Sequence, residues 1–580
     1  MPFKVITQSG FLRGINAATG KTVVVPGTII RDSNMFYTRR GSLSTVDGTK
    51  IIAQNGDWNS TQGTLSDSQI VAIEAVAYGA TGRIPIAVGV SSEILGGLLG
   101  QSHFFAYDLS TPNAVETNFH WGNSSFPQGP NNFRLPQLIS VNGVVVLCPG
   151  NDAPPSYTDF YNNTTPSVQL GRGNGQIVPG AAHGILHANR VWLWNTSPTD
   201  TAFDGPSVLR MCNATPDQTR PDLVNGFSDI NVAWIDSDDG TQGQGIIDFT
   251  SAEAGIAPTS TVILFKDFAT YQVTGLLAPQ GGFSVTRAQT DLGCAAPRSI
   301  QFAPGFGIVR LTHLGVAVFD GAKDTIISEE IHPYLFPEEP DLTTIDWTRA
   351  KYASSTISAN PPLYCLAIPV QGSLGLTRIF IYDLVLKAWG IVDLPAADNP
   401  DGDVQNIGPI SCLGTLRMPG MEPETCMADL NDETTSSGHS AVRRWLQDDP
   451  DWDGIPISWS FKTPEIFSGN PTTRLYVRRS VLRAKSYSSP ITASFEVSGV
   501  EKTTQAVQQM QYLGAHAFYG SGHYGVSLYS GGVPDLISPF DVGITGMSAN
   551  VRYSGTGRIE VLANDWHLVE KPAGAFGRAS

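Results

Sequence analysis

Residues 261–275, TVILFKDFATYQVTG, are followed by 283–300, FSVTRAQTDLGCAAPRSI, and 306–328, FGIVRLTHLGVAVFDGAKDTIIS. Runs rich in Val, Ile, Phe and Tyr alternate with Lys-Asp, Gly and Asp-Gly turns at intervals of roughly ten to fifteen residues, the pattern of consecutive short antiparallel strands. The chemistry of the stretch is almost blank: one Cys, one His and scattered acids interrupt strands and turns without converging on a reaction. A scaffold is expected here.

Working outward, aromatic-Asp or aromatic-Asn strand ends recur. Phe104-Phe105-Ala106-Tyr107-Asp108-Leu109 is matched by Ile379-Phe380-Ile381-Tyr382-Asp383-Leu384, and more loosely by Val316–Gly321 and by Val191-Trp192-Leu193-Trp194-Asn195. After two of them comes a turn and a tryptophan, Trp121 and Trp389. An Asp or Asn at such a place caps the turn by bonding backbone amides two residues on, while the aromatic packs between sheets. Repeated hairpins of this kind point to β-propeller blades with variable loops. Polar stretches at 149–180, 195–230, 393–408 and 427–440 read as surface inserts between blades. Residues 69–78, QIVAIEAVAY, carry both helical spacing and β-branched content, and are read as a strand.

The totals agree. At 580 residues the chain exceeds the size at which one core stops growing, about 250–300 residues. Charged residues are only 15%, while Gly (60) and Pro (39) are abundant, which favours sheets and turns over helices. With 36 basic and 52 acidic side chains the net charge is −16 and no Lys/Arg-rich run appears, so a surface that grips nucleic acid is not expected. The opening MPFKVITQSGFLRG lacks the apolar core of a secretory signal, and no run of about 18 apolar residues suggests a membrane span, so a soluble protein made in a cytoplasm is expected. Cys148, Cys212, Cys294, Cys365, Cys412 and Cys426 are scattered singly, which reads as buried thiols rather than bridges. The sequons at Asn59 and Asn195 carry no meaning without secretion.

The reading is mainly β: an N-terminal extended arm (1–40), a β-propeller-like domain with long loop inserts (41–450), and a C-terminal β-sandwich-like domain (451–580). Pro26-Gly27 and Arg39-Arg40-Gly41 mark turns along the arm. QDDPDWDG at 447–454 reads as a hydrophilic hinge before the last domain. There, RLYVRRSVLRAK places Arg474, Arg478, Arg479 and Arg483 among apolar residues, giving one cationic side. Residues 514–534, rich in Gly, Tyr and His, read as a long loop.

Candidate sites resolve into structure. Asp449, Asp451, Asp453 and Gly454 have the spacing of a calcium loop, but Pro450 lies inside it and Ser460 stands where a bidentate Glu belongs, so a capped turn is expected. Asp236–Gly240 reads as a turn, and Gly171-Arg172-Gly173-Asn174-Gly175 lacks the spacing and βαβ setting of a phosphate loop. His183 and His187 would pair on a metal only in a helix, which Gly184 and the following strand oppose. Sugar cleavage needs two carboxylates roughly 5–10 Å apart. Glu329, Glu330, Asp267 and Asp291 keep that possibility open.

The order of ILFKDFATYQVTG, TDLGCAAPRSI, FGIVRLTHLGVAVFDG and IISEEIHPYL resembles the tail nozzle, or tail tubular, proteins of short-tailed bacteriophages. The resemblance rests on Gly293, Cys294, Pro297 and Ser299, then Gly315–Phe319, Asp320 and Gly321. It extends to RDSNMFYTRRGSL (31–43), IYDLVLKAWGIV (381–392) and DWDGIPISWSFKTPEIF (451–467). It implies a β-propeller virion protein, a homohexameric tube component beneath the portal and adaptor through which DNA leaves the capsid. Its implied partners are copies of itself, portal-side and distal tail proteins, and genomic DNA in passage without sequence-specific binding. It supplies no catalytic, cofactor-binding or metal residue, and the expectation is a non-enzymatic part. An acidic lumen would not hold passing phosphates. A carbohydrate-binding or carbohydrate-cleaving propeller at the tail tip is the alternative, for which exposed aromatics beside paired carboxylates would speak.

Overall fold

In the computed structural model, the quoted stretch forms parts of two consecutive four-stranded antiparallel meanders. Thr259–Lys266 pairs with Gly243–Ser251 and with Thr270–Thr274, which pairs with Ser284–Arg287. Next come Gln301–Ala303, Gly307–Thr312, Gly315–Phe319 and Asp324–Ile326. Both middle strands of the second meander are buried throughout, the one carrying Arg310 as well as its apolar residues.

The structure describes residues 4–9, 11, 13, 15–17, 29–38, 41–54, 68–76, 86–93, 102–108, 116–119, 137–141, 144–148, 150, 154–159, 168–173, 175–197, 204–215, 220–251, 259–275, 283–337, 342–373, 375–395, 409–416, 423–429, 441–447, 449, 451–452, 454–467, 473–486, 491–497, 500–506 and 536–572. The chain is mainly β, with α-helix among the described residues confined to the single turn His332–Leu335.

Seven four-stranded units follow one another among these residues: I (68–119), II (137–169), III (181–234), IV (243–287), V (301–326), VI (354–393) and VII (410–445). Unit VII takes its fourth strand, Thr49–Gln54, from the N-terminal side of the chain. The first strands of successive units are neighbours, and Ile410–Leu416 of unit VII lies against Ser68–Val76 of unit I. There a Cβ on Gly414 would come within 2.9 Å of Ile73, so glycine permits the close approach. This is a propeller-like arrangement of blades.

Residues 458–572 add two facing sheets. One joins Leu43–Thr45, Ile559–Pro572, Thr473–Ser486 and Leu536–Gly546, with Lys4–Ser9 paired along Ile559–Pro572. The other joins Arg31–Ser33, Ser458–Lys462, Ser548–Thr556, Thr492–Val497 and Val500–Ala506. Phe461, Phe495, Phe540, Tyr553 and Trp566 fill the space between, with ring centroids 5.2–6.3 Å apart, which makes a β-sandwich. In Thr473–Ser486 a bulge between Val477 and Arg479 reverses the alternation: Leu475 and Val477 are buried before it, Ser480, Leu482 and Ala484 after it. All four arginines therefore stay off the core, although strict alternation would have buried some of them.

The N-terminal segment ties the two bodies together. Asn34 sits in the left-handed region at φ 58° between two short strands. Its side-chain amide donates to the Ser458 carbonyl of the sandwich (2.7 Å), and its Oδ1 accepts from the Asp393 amide of unit VI (2.9 Å). Its own backbone N–H donates to Ile391 O, and its carbonyl accepts from Val46 N. Asn is a residue that tolerates this conformation without glycine's entropy cost.

Two expectations need correction. The stretches 149–180 and 195–230 are not simply surface inserts: Ser156–Asp159 and Val168–Gln169 are the outer strands of unit II, and the fully buried Val208–Met211 is the third strand of unit III. Polar turn residues on both sides hid them, and a buried Arg210 made one look solvated. Nor is 447–454 a free hinge. Asp451–Trp452 pairs with Ile455–Pro456 and bridges to Thr49, and Trp452 is buried. The 514–534 stretch lies outside the described residues, as do Trp121 and the Asn59 sequon.

Replacing Asn34 by Gly should keep the backbone conformation but lose both side-chain bonds, costing about 2–3 kcal/mol in denaturant unfolding. Asn34→Ala should cost about 1 kcal/mol more, because a Cβ-bearing residue without Asn's local bonding is strained there. Equal losses for the two would show that the left-handed turn contributes nothing.

Candidate functional site

The strand-end acids act as the sequence implies. Asp320 Oδ1 accepts from the amides of Ala322 and Lys323, both at 2.9 Å, and Asp383 Oδ1 accepts from Val385 and Leu386 at 2.8 and 2.9 Å. Asn195 differs: it is left-handed, and its amide reaches the Gly243 carbonyl of unit IV at 2.8 Å. The side chain of Asp108 is outside the described residues. Trp389 packs on Tyr382, 4.7 Å between centroids, and its indole N–H donates to Ile327 O beyond unit V.

Sequence reading missed a set of buried cations in units III to VII, some of which tie a unit to the chain before it. In unit III, Arg210 binds Asp204 (2.9 Å), Asp229 and the Phe227 carbonyl. Lys266 of unit IV donates to Ile235 O, to Asp236 O and to Asp239 Oδ1 (2.6 Å), gripping the turn that follows unit III. Arg310 of unit V makes a two-pronged pair with Asp324, 2.8 Å on each prong, and donates to the Leu292 and Gly293 carbonyls that follow unit IV. It also lies over the Phe265 ring at 4.4 Å. Arg378 pairs with Asp393, and Arg443 with Asp429. A fully buried guanidinium is tolerated only when its donors are met in this way. The sequence signal was weak, since a single Arg or Lys within an apolar strand looks like an exposed face.

The candidate loops are occupied by such ties. Arg172 of the glycine-rich hairpin pairs with Asp229 and lies 3.7 Å from Asp204, so its charge is already met. Asp236–Gly240 is a one-turn 3-10 segment arranged around Lys266. Asp451 Oδ1 accepts from Gly454 N at 2.8 Å, closing a hairpin; Asp449 faces Arg444, Ser460 pairs with Ser33 in a sheet, and Asp453 is not described. Among the described residues no group of three or more His, Cys, Asp or Glu side chains could hold a metal ion.

His183 and His187 lie on one strand, facing unit IV. His187 Nδ1 is 3.2 Å from Asp248, and its ring meets Trp192 edge to face. His183 is buried; desolvation lowers its pKa to about 4, against its hydrogen bond to the Gly243 backbone. All six cysteines are buried and unbridged. Burial pushes the thiols of Cys148 and Cys212 up to about 12 and that of Cys294 to about 11, so none is a ready nucleophile. Cys294 packs with Phe249, Ile263, Phe265, Ile308 and Phe319 between units IV and V.

Of the carboxylates weighed for sugar chemistry, Asp267 accepts from Gln242 N and Gln244 Nε2, and Asp291 is exposed beside Arg287. Only Glu329 and Glu330 are neighbours. Glu330 is half-buried, and burial followed by the charge of Glu329 pushes its pKa up to about 7. A row of rings crosses from unit IV toward unit VI: Phe268 on His313 (4.9 Å), His313 facing Trp347 (6.5 Å), Trp347 on Phe336 (5.4 Å) and Phe336 against His332 (4.6 Å). Phe268, at its open end, is 56% exposed.

No family model matches the chain, and no curated protein does. Among solved structures, BBS1N in complex with ARL6DN aligns at 10% identity over 70% of this chain and 100% of that one, with a TM-score of 0.33. The exo-β-1,3-galactanase of Phanerochaete chrysosporium aligns at 9% over 89% and 100%, TM-score 0.26. Apo AztD of Citrobacter koseri aligns at 9% over 67% and 88%, TM-score 0.29. Likenesses this loose carry no argument about what this chain does.

Two outcomes follow from the buried groups. Arg310→Met strands Asp324 and two carbonyls without their donor, and should cost about 3–5 kcal/mol by denaturant unfolding; a loss below about 1 kcal/mol would remove the cation from its role as a tie. His183 is uncharged in the fold, so the unfolded chain takes up its proton first. Its contribution is complete above the ordinary His value and is lost as pH falls from about 6.5 toward 4, by up to about 3 kcal/mol. His183→Gln should flatten that part of the stability profile.

Proposed function

We propose that this chain is a structural component of a bacteriophage tail, a nozzle or tail-tube subunit that assembles with copies of itself around a channel for genome ejection. The observation that carries the reading is where the resemblance-bearing residues fall. Ser299 Oγ donates to Ala296 O (2.6 Å) and accepts from Leu311 N (2.8 Å), while its carbonyl receives the Tyr364 hydroxyl of unit VI (2.9 Å). Gly293 lies against the Lys266–Asp267 backbone, where a Cβ would come within 2.0 Å of Lys266 O. Asn34 and Trp389 are junction residues too, while Asp320 and Asp383 fix turns inside units V and VI. The resemblance-bearing residues thus serve turns and contacts between units, which supports a part working by rigidity and not by bond chemistry.

In this reading the seven units close into a ring platform, and the protein is a non-enzymatic part of the virion. Its neighbours are copies of itself, portal-side adaptor and distal tail proteins. A net charge of −16 supports a wall past which phosphates move without sticking.

A second reading, a carbohydrate-binding propeller at the host surface, is favoured by the exposed end of the aromatic row at Phe268. Against it, the acids weighed for sugar chemistry do not gather beside that ring: Asp267 is taken up by Gln242 and Gln244, and Asp291 by Arg287.

Negative-stain images of the purified protein separate the readings. The nozzle reading expects rings of several copies with a central hole, unchanged in Phe268→Ala. Monodisperse single copies that bind host polysaccharide, with binding abolished by Phe268→Ala, would replace it with the second.

A further inference from the structure

We propose that the outer edge of unit III docks on the arginine-bearing face of the sandwich of a second copy of this chain, in a head-to-tail contact. The inference rests on the ring-forming reading given above and names the two surfaces that such a ring would join.

The edge of unit III exposes apolar side chains: Ile230 is 70% exposed, Val224 53%, Trp234 49% and Ile177 45%. They come from separate segments, yet the backbone brings these together. Arg172 donates to Asp229 (3.2 Å), which sets the hairpin of Gly171–Gly173 and Gln176–Ile177 beside the residue that precedes Ile230. Gly171 N donates to Leu223 O (3.0 Å), and a Cβ on Gly171 would come within 1.7 Å of Val224 O, so Val224 adjoins the same hairpin. Val232–Trp234 follows as the last strand of the unit, paired with Val208–Met211 on one side. Exposed apolar residues scattered singly are ordinary, whereas a gathered set at a sheet edge marks a contact surface. Its surroundings are acidic. Asp222, Asp236 and Asp238 stand there against Arg220, while the side chains of Arg172, Arg210 and Lys266 are buried in pairs with Asp229, Asp204 and Asp239.

The sandwich carries the opposite charge. The bulge between Val477 and Arg479 keeps Arg474, Arg478, Arg479 and Arg483 off the core, and Arg474, Arg478 and Arg483 are exposed. In register across this sheet, Arg479 lies opposite His567, and His567 opposite Val5, an apolar residue that is 53% exposed. The acids of the sheet do not cancel the guanidinium charge: Asp565 accepts from Thr7 and pairs with Arg483, Glu560 and Glu570 pair with Lys485 and Lys4, and Asp541 stands opposite Arg479. The two surfaces therefore complement each other, acidic to cationic and apolar to apolar. Both are exposed in one copy, so neither covers the other within the chain. Because they differ, every copy offers one of each, and a contact of this heterologous kind closes into a ring where its rotation allows.

Sedimentation velocity of the intact chain tests the proposal. The wild-type chain should assemble, and Ile230→Asp and Arg478→Glu, both at exposed positions, should each weaken assembly by about tenfold with unfolding midpoints unchanged. Mixed together, the two variants should form one-to-one pairs, since Arg478→Glu keeps the edge of unit III and Ile230→Asp keeps the sandwich face. Assembly unchanged in either variant, or a mixture that stays unpaired, would overturn the docking while leaving the ring reading in place. A wild-type chain that stays single at every concentration would remove the ring reading and the docking with it.

Discussion

The fold turns on the two side-chain bonds of Asn34. One strand end must serve a blade and a sandwich sheet at once, and only a residue with both a donor and an acceptor on a short side chain can do that from a left-handed backbone. With Asn34 in place, Arg31–Ser33 enters the sandwich and Met35–Tyr37 turns toward unit VI. Ser33 Oγ donates to Asp393, which also binds Arg378, so the same acid that anchors the strap anchors a blade cation. Farther out, Gln8 Oε1 accepts from the indole of Trp566, and Thr49–Gln54 completes unit VII. Strands distant in sequence are thereby closed through a few residues at their ends.

The same economy runs through the junctions between units. Units III to VII all bury cations, and Lys266 of unit IV and Arg310 of unit V grip the chain just before their own first strand. Such ties are of limited value for stability when compared with well-packed apolar residues, but they fix geometry, since a misplaced blade leaves a charge unpaired in the interior. Among the described residues, Asp320 and Asp383 are taken up by caps, Asp204, Asp324 and Asp429 by ion pairs, and the thiols by packing.

Much of this was legible in the sequence because turn chemistry is local. The aromatic-Asp ends predicted caps, and Asp320 and Asp383 are caps; the singly placed cysteines predicted buried thiols, and Cys294 is one, packed between units IV and V. What stayed hidden depends on contacts between residues far apart in the chain. Val208–Met211 reads as part of a polar insert until Asp204 and Asp229 are seen meeting Arg210. Trp452 reads as hinge until Thr49 is found beside it. The aromatic row draws on three separate segments, and none of them marks its partners.

The account stands on platform and sandwich being one mechanical body strapped through Asn34, not two domains on a hinge. Scanning calorimetry of the intact chain tests this most directly. A single unfolding transition, with calorimetric and van't Hoff enthalpies equal, is the predicted result. Two separated transitions, with the sandwich melting while units I to VII stay folded, would contradict it.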